Sequence, residues 1–276
     1  MSDRKINYIV IFAVIALFVL EANVAERLNL LAAILISMVA AYAVFIANLI
    51  TIDGTRAAIL VGTVTLGFGG TEPFVMLAAF FLSSNVIGPI LGRSQFTQRF
   101  MSERRTGAQV WANGFWFIIA VLSWFVTKGD MFLIAAFAAL ATANADTWAT
   151  EAGTRINFGK TRSILGFKAV PRGTDGGVSV PGTLAAVAGA VFIGAITLYF
   201  PKNFMFLSAV SIAAAGFLGS LTDSVLGAWF QAGNRTLPLF FGTGKDKENN
   251  TVNFVATGLG MLYGLILYNL LIYALV

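Results

Sequence analysis

Acidic and amide side chains lie within a stretch of the chain that is apolar enough to cross a membrane. The segment Ala141–Gly153 continues the apolar run Met131–Leu140, and it contains Asn144, Asp146 and Glu151 with no cation directly beside them. Ionisable groups at membrane depth are costly and usually face a polar cavity or a partner. These side chains therefore mark a candidate site.

A second aspartate, Asp223, lies in another apolar run, within the segment Gly219–Gly227. Small residues on the same helix face would let a neighbouring helix approach closely; they are Gly216, Gly219, Ser220 and Gly227. Mg²⁺ is typically held by one or two carboxylates together with substrate phosphates. Asp146 and Asp223, from different helices, supply that arrangement. The alternative is that each aspartate hydrogen-bonds a neighbouring helix and only fixes packing.

The loop Pro171–Gly182 is rich in glycine and precedes an apolar helix. Glycines such as Gly176 and Gly177 let backbone amides approach an anion, and the amino terminus of the next helix adds a favourable partial charge. Arg172 could add a forked phosphate contact. Asp175 could bind a metal or a ribose hydroxyl, or its side chain could form a hydrogen bond within its own turn. A tight turn between two helices is the simpler interpretation of this loop.

Two pairs of side-chain amides lie four residues apart, at the beginnings of two predicted helices. Gln109 and Asn113 form one pair, and Asn249 and Asn253 form the other. Residues four apart share a helix face. The amides are either helix caps or partners for a base or a sugar.

The composition excludes several kinds of chemistry. Of the 276 residues, 58% are hydrophobic and 11% are charged, and there is no Cys and no His. Soluble domains have about 25% charged residues, so the chain is predicted to be an integral membrane protein. Disulfides, thiolate sites, imidazole acid–base catalysis and His-rich zinc sites are excluded. The aromatic and basic residues show no stacking pattern typical of nucleic-acid binding, and tryptophans such as Trp111 are predicted to be interfacial anchors.

Helices of about 20 mostly apolar residues are needed to span a bilayer. The sequence predicts an all-α, polytopic transmembrane bundle with about nine elements, forming one membrane domain over residues 1–276. The third element is too short to span upright and ends in a glycine turn, which is typical of a broken or tilted helix. The elements are Asn7–Leu20, Leu28–Ile50, Ala57–Gly67, Pro73–Leu91, Val110–Val126, Met131–Thr150, Gly182–Phe200, Phe204–Phe230 and Val252–Leu275.

The loops on one side of this bundle carry most of the positive charge. If all nine elements cross, 15 of the 18 Lys and Arg residues fall on the side of the amino terminus, and only Arg27, Lys128 and Lys202 fall on the other. Lys and Arg favour the cytoplasmic side. The polar motifs share that side, so the candidate site is predicted to face the cytoplasm. The charge asymmetry reflects either topology alone or an electropositive face for a polyanion.

Carboxylates and cations without imidazole or thiol suit phosphoryl transfer, because that reaction depends mainly on positioning and charge neutralisation. A phosphate monoester acceptor is already ionised and needs no strong base. The membrane setting indicates that the acceptor is a lipid. A cytidylyltransferase acting on a lipid phosphate, a transporter of a phosphorylated or cationic solute, and a purely structural protein are the alternatives. The clustering of polar residues at one face disfavours transport, since transport sites lie near mid-membrane.

Several motifs resemble the integral-membrane family that includes plant phytyl-phosphate kinase, a family long labelled only as a domain of unknown function. The resemblance covers the chain from about Asp53 to its end, on the motifs Gln109–Gly114, Ala145–Gly153, Pro171–Ser179, Gly219–Gly227 and Asn249–Asn253. It implies a kinase similar to polyprenol kinases, which uses a nucleoside triphosphate, typically CTP, to convert an isoprenoid monophosphate into its diphosphate.

The resemblance marks the motif positions, and the chemistry of the side chains there suggests the role of each residue. Metal binding, with Mg²⁺, falls on Asp146 and Asp223, with Glu151 as a further candidate. Contact with the triphosphate falls on Lys168, Arg172, Gly176 and Gly177, and Asp175 is a further residue of the nucleotide site. Contact with the nucleotide or the acceptor falls on Asn113, Asn249 and Asn253. The expected partners are an isoprenoid monophosphate, a nucleoside triphosphate and membrane lipids, with no nucleic acid.

Overall fold

The computed structural model describes residues 3–92, 104–200, 206–233 and 247–274. Within these residues the chain forms nine α-helices and one two-stranded antiparallel hairpin. The helices are α1 (Asp3–Leu20), α2 (Val24–Ile46), α3 (Ile52–Gly69), α4 (Thr71–Ile90), α5 (Gly107–Thr127), α6 (Met131–Arg155), α7 (Val180–Ile196), α8 (Phe206–Leu226) and α9 (Lys247–Tyr273). The strands are β1 (Arg162–Ser163) and β2 (Gly177–Val178), both between α6 and α7.

Seven of these helices, α2 and α4 to α9, are long and apolar enough to cross a membrane. Large apolar side chains such as Leu35, Ile90 and Leu270 are exposed on the outside of the bundle, as expected where helices face lipid tails rather than water. The predicted all-α, multi-pass bundle is confirmed. The first residues of the predicted helix Phe204–Phe230 and the end of Val252–Leu275 lie outside the described residues. So do several of the basic loop residues, namely Arg93, Arg99, Lys202, Arg235 and Lys245.

The third helix is longer than the sequence indicated. Ala57–Gly67 was expected to be short because Asp53 and Arg56 are polar. The Thr51 side chain accepts a hydrogen bond from the Gly54 amide and caps a helix that begins at Ile52 and takes in both residues. The expected break follows at Gly70, which has φ +83° and joins α3 to α4 without a longer loop.

Helix α6 is the centre of the bundle, because it packs against α4, α5, α7, α8 and α9. Small residues make this possible: a Cβ on Gly216, Gly219, Gly260 or Gly264 would overlap the side chains of Ala141, Thr142 or Ala138. Membrane helices use small residues in this way to bring their backbones close together. The glycines of α8 and α9 therefore hold both helices directly against α6.

Trp111 was expected to be an interfacial anchor, and this was wrong. Its ring is fully buried, and its indole nitrogen donates a hydrogen bond to Asn7 Oδ1 (2.7 Å). A buried Trp requires a partner for its N–H group. The asparagine of α1 provides that partner, so Trp111 ties α1 to α5 instead of facing the membrane boundary.

Candidate active site

The two aspartates meet because the helices beneath them touch. Gly219 of α8 lies against the side chain of Thr142 of α6. One helical turn further along each helix come Asp223 and Asp146, since residues four apart share a face. Their carboxyl groups are close enough to share a hydrogen bond. The small residues of α8 thus set the distance between the two acids.

This pair has no cation beside it in the described part of the chain. The ion pairs found there join Lys128 to Glu26 and Arg155 to Glu151, and neither involves Asp146 or Asp223. The amide of Asn253 from α9, oriented by its hydrogen bonds, donates to Asp223 Oδ2 (3.0 Å). Two partly buried carboxylates in contact repel each other and need a proton or a cation to offset the repulsion.

Both aspartates line a cavity of about 150 Å³ between α6, α7, α8 and the first turn of α9, which we call the aspartate cavity. Hydroxyl and amide groups recur on its walls, at Thr150, Thr154, Thr161, Ser179, Thr183, Ser220, Ser224, Gln231 and Asn249. The wall between α7 and α8 is apolar and includes Ala186, Phe217 and Leu221. The cavity is therefore amphiphilic, with acids and hydroxyls beside an apolar surface.

The glycine loop closes one side of the aspartate cavity. Gly176 has φ +70°, and a Cβ there would overlap the backbone of Ala228 in the π-helical turn that follows α8. Gly177 donates its backbone N–H to Thr174 O (2.8 Å) inside the loop. Asp175 lies at the exposed rim, where partial burial and the charge of Glu248 raise the pKa of its carboxyl above the usual value.

The amino terminus of α7 also borders the aspartate cavity. Ser179 caps this helix by accepting a hydrogen bond from the Gly182 amide (3.3 Å). Gly182 lies against Gly153 of α6, so the first turn of α7 packs directly on the helix that carries Asp146. A helix amino terminus carries a partial positive charge and favours an anion nearby. The cavity thus combines two acids with a terminus suited to a phosphate.

Most of the predicted site residues come together here. Asp146, Asp175, Asp223, Gly176, Gly177 and Asn249 line the aspartate cavity, and Asn253 contacts Asp223. The signal that sequence reasoning missed lies in the hydroxyl groups. Thr150 and Thr154 follow Asp146 at intervals of four residues, so they lie on the same face of α6. Ser220, three residues before Asp223, and Ser224, the residue after it, also line the cavity.

Glu151 is not part of the aspartate pair. Five residues after Asp146, it points to another face of α6, where its carboxylate pairs with Arg155 (2.5 Å) beside Gly88 of α4. Within the described residues no group of three or more acids is placed to hold a metal ion. The grouping of Glu151 with the two aspartates was therefore wrong, because the helical period separates them.

The two predicted phosphate cations also lie elsewhere. Arg172 donates hydrogen bonds to Asn157 Oδ1 (3.0 Å) and to the carbonyl oxygen of Ile156, so its guanidinium braces the loop. Lys168 is exposed in the hairpin, where its carbonyl accepts a hydrogen bond from the Ser163 amide. Among the described residues, no Lys or Arg lines the aspartate cavity.

Asn113 lies in a different cavity, of about 280 Å³, between α2, α3, α4 and α5. Its amide donates to the carbonyl oxygen of Gln109 on the same helix (3.2 Å). Gln109 itself forms a reciprocal cap with Thr106 at the start of α5. None of the helices in the described part of the chain lines both cavities. Asn113 is therefore separated from the aspartates, and Gln109 is a helix cap.

Comparison with known proteins matches residues 35–261 to the family described as "Integral membrane protein DUF92". An uncharacterized membrane protein of Methanocaldococcus jannaschii is 28% identical over 255 residues, which are 90% of this chain and 99% of that protein. Protein VTE6, chloroplastic, of Arabidopsis thaliana is 27% identical over 234 residues, which are 78% of this chain and 64% of that protein. Protein PGR of Arabidopsis thaliana is 38% identical over 101 residues, which are 33% of this chain and 35% of that protein. No solved structure matches the chain.

Proposed function

Because the chain belongs to the integral-membrane DUF92 family, we propose that it is a Mg²⁺-dependent prenyl-phosphate kinase. It transfers a phosphoryl group from a nucleoside triphosphate, with CTP as the first choice, to an isoprenoid monophosphate such as phytyl or geranylgeranyl phosphate. The motifs that resemble the phytyl-phosphate kinase family motivate the reaction and the donor. The excess of Lys and Arg on one side motivates a site that faces the cytoplasm.

The observation that carries this proposal is the contact between Asp146 and Asp223. Mg²⁺ uses oxygen ligands and is commonly held by one or two carboxylates and by substrate phosphates, so this pair fits the ion. The absence of a neighbouring Lys or Arg among the described residues leaves the charge of the pair available for a divalent cation. When bound there, Mg²⁺ would neutralise charge on the triphosphate.

The residues around the pair take supporting roles in this proposal. Asn253 orients the carboxylate of Asp223 through its hydrogen bond. The amino terminus of α7, capped by Ser179, and the turn at Gly176 border the space for the phosphates of the donor. The apolar wall that includes Phe217 receives the first part of the isoprenoid chain. Arg172 supports the loop rather than the reacting phosphates.

The chemical step follows from these placements. An oxygen of the acceptor monophosphate attacks the γ-phosphorus of CTP, and the bond from that phosphorus to the bridging oxygen of the β-phosphate breaks. The products are the lipid diphosphate and CDP. The acceptor is an anion at neutral pH, so no general base is required, and the chain needs only to position two phosphates and exclude water.

The test is a reaction of purified protein with CTP, ATP or UTP, Mg²⁺ and a set of prenyl monophosphates, with the products identified by mass. The proposal expects a prenyl diphosphate and a nucleoside diphosphate. A nucleotide-linked lipid with pyrophosphate would instead show a cytidylyltransferase. Solute flux into vesicles without nucleotide turnover would show a transporter, and either outcome would reject the kinase.

Matched variants connect the activity to the acids. Asp146→Asn and Asp223→Asn keep the shape of each side chain but remove its charge, and each is expected to lower turnover about a thousandfold, comparable with the loss of a key electrostatic contact. Glu72→Gln in the first turn of α4 removes an acid outside the cavity and is expected to leave turnover unchanged. Full activity in both aspartate variants would reject the assigned role.

A further inference from the structure

The second cavity is an apolar groove in the side of the bundle, and we call it the α2–α5 groove. Alanine, valine, leucine and phenylalanine side chains from α2, α3, α4 and α5 form most of its lining, including Ala40, Val44, Val61, Leu77 and Phe81. The polar side chains in it are those of Ser37, Arg105, Gln109 and Asn113. Its volume of about 280 Å³ is close to the lower end of the range of about 300–1,000 Å³ for small-molecule sites.

The groove exists because α4 does not pack closely against α2 or α5. Helix α4 packs on α3 and α6, but it has no extensive contact with α2 or α5 along their described lengths. Small residues enlarge the space: a Cβ added at Gly114 would meet only Val61, at an ordinary contact distance of 3.6 Å. Ala40, Ala58 and Ala78 line the groove in the same way. An apolar chain therefore has room between helices that do not close on each other.

A single cation lies in this groove among the described residues, the guanidinium of Arg105. It lies over the rings of Phe80 (5.6 Å) and Phe81 (5.7 Å), and within the described residues it forms no ion pair. Glu151 is the acid whose charge acts on it, but that carboxylate is already paired with Arg155. The positive charge of Arg105 is thus held against aromatic rings without an acidic side chain bound to it.

The backbone holds Arg105 in this position. Its amide donates to Leu49 O (3.0 Å), and its carbonyl oxygen accepts from the Thr51 amide (3.1 Å). These bonds fix the residue to the turn between α2 and α3. A cation on a fixed backbone, beside the amides of Gln109 and Asn113 and facing an apolar space, matches a molecule with one anionic end and one apolar chain.

We propose that the α2–α5 groove binds a single-chain amphiphile with an anionic head group, with the head on Arg105 and the chain along α4. The occupant is an anionic lipid of the bilayer, because none of the described helices lines both this groove and the aspartate cavity, where the reacting groups lie. For the same reason the proposal does not rest on the proposed kinase activity, and binding of the phosphorylated acceptor in the groove is one outcome of the test.

The test uses two photoreactive probes in nanodiscs, a diazirine-bearing hexadecyl phosphate and the same chain ending in an alcohol. Adducts are mapped by peptide mass spectrometry. The phosphate probe is expected to label groove residues of α2, α4 or α5 more strongly than the alcohol probe. Arg105→Gln is expected to reduce labelling by the phosphate probe about tenfold, as for loss of a hydrogen bond to a charged group. Labelling by the alcohol probe should not change.

Arg104→Gln is the matched control, because Arg104 is the adjacent, exposed arginine and lies over a different ring, that of Phe45. It is expected to keep full labelling. Ala78→Phe fills the groove and should abolish labelling by both probes, whereas Ala79→Phe on the next position, outside the lining, should not. This second pair keeps the test decisive if Arg105→Gln does not fold.

Equal labelling of the groove by the two probes, equal loss in Arg104→Gln and Arg105→Gln, or adducts spread outside these helices would overturn the proposal. Turnover of prenyl monophosphates in Ala78→Phe then distinguishes a bilayer lipid from the acceptor. Turnover lost together with labelling in Ala78→Phe but kept in Ala79→Phe would overturn the assignment to a bilayer lipid and would place the acceptor in the groove instead. Unchanged turnover with lost labelling identifies its occupant as a lipid of the bilayer.

Discussion

The aspartate cavity and the α2–α5 groove are built in opposite ways within one bundle. The aspartate cavity lies next to a close helix contact, where Gly216 and Gly219 of α8 touch Ala141 and Thr142 of α6. The groove lies where α4 has no extensive contact with α2 or α5. Close packing brings two charges of the same sign together, whereas loose packing leaves an apolar space with one cation, Arg105.

Because the two cavities are packed differently, substitutions that add volume should act differently in each. Added volume at the α6–α8 contact must separate the aspartates, because backbone and β-branched atoms cannot move aside. Added volume in the groove meets empty space. The two cavities can therefore be perturbed separately, and this separation makes each of them testable.

Among substitutions that change packing rather than charge, the largest effect is expected for Gly219→Val, which forces α8 away from Thr142. Overpacking of this kind costs about 1–3 kcal/mol of stability. It also moves Asp223 away from Asp146, so turnover is expected to fall about a hundredfold, since a misplacement of about 1 Å has that cost. Turnover and thermal midpoint are measured together. Thr142→Ala added to Gly219→Val should restore part of both, while Ala78→Phe alone should leave the midpoint unchanged. Wild-type turnover in Gly219→Val would contradict the packing account.

A smaller effect is expected for Gly176→Ala in the loop that borders the aspartate cavity. The matched control is Gly159→Ala, because Gly159 has a similar positive φ (+68° against +70°), would meet no atom within 4 Å and does not line the cavity. Both variants pay the cost of a side chain in left-handed backbone. Only Gly176→Ala pushes the loop away from Ala228. Only this variant should therefore raise the KM for the nucleotide, by about tenfold, the value for one lost contact to a charged group. An equal change in both would assign the effect to backbone strain alone.

Asn253→Ala tests a single hydrogen bond of the aspartate cavity, the one from Asn253 to Asp223. Loss of the amide frees the carboxylate of Asp223, and partners of this kind are worth about 10–100-fold in metal affinity or activity. Turnover at saturating substrate and the Mg²⁺ concentration for half activity are measured. Asn269→Ala is the control, because that asparagine of the same helix is bonded only to its own helix, at Leu265 O (2.7 Å). Equal effects of the two substitutions would remove the positioning role.

The smallest effect concerns Asp175, whose raised pKa reflects partial burial and the charge of Glu248. An acid with a raised pKa in the folded state destabilises the fold only when ionised. The penalty is absent below the usual pKa of 3.8, grows as the pH rises and is complete above the folded-state pKa. Asp175→Asn is therefore expected to raise the thermal midpoint slightly at neutral pH, with no difference near pH 3.8. Thermal midpoints of both proteins across pH 3.5–7 test this, and a gain largest at low pH would contradict it.

Much of the fold followed from composition and apolar run length, because a membrane helix must satisfy its own backbone and be long enough to span. The start of α3 could not be predicted in this way. The cap at Thr51 lets the helix begin at Ile52 although Asp53 is polar. The pairing of Asp146 and Asp223 followed from acids in apolar runs beside small residues. Hydrophobicity alone, without the spacing of those small residues, would not have brought the two helices together.

The residues that were misplaced fall into three groups, each with its own physical reason. Lys168 and Arg172 lie in an irregular loop, where sequence order does not fix the direction of long side chains. Glu151 is near Asp146 in sequence, but the helical period turns it toward Arg155. Asn113 belongs to a motif of α5, and which cavity it lines depends on how α4 packs. Long-range packing therefore decides the placement of Asn113, whereas the local helical period decides that of Glu151.

Asp146 and Asp223 are proposed to hold one divalent cation together, and Mn²⁺ binding followed by electron paramagnetic resonance measures this without any assay of turnover. We expect one bound Mn²⁺ per chain in the presence of CTP, displaced by Mg²⁺, and lost in both Asp146→Asn and Asp223→Asn. Glu151→Gln should bind as the unchanged protein does, since Glu151 is paired with Arg155. Unchanged Mn²⁺ binding in both aspartate variants, or its loss only in Glu151→Gln, would contradict the account.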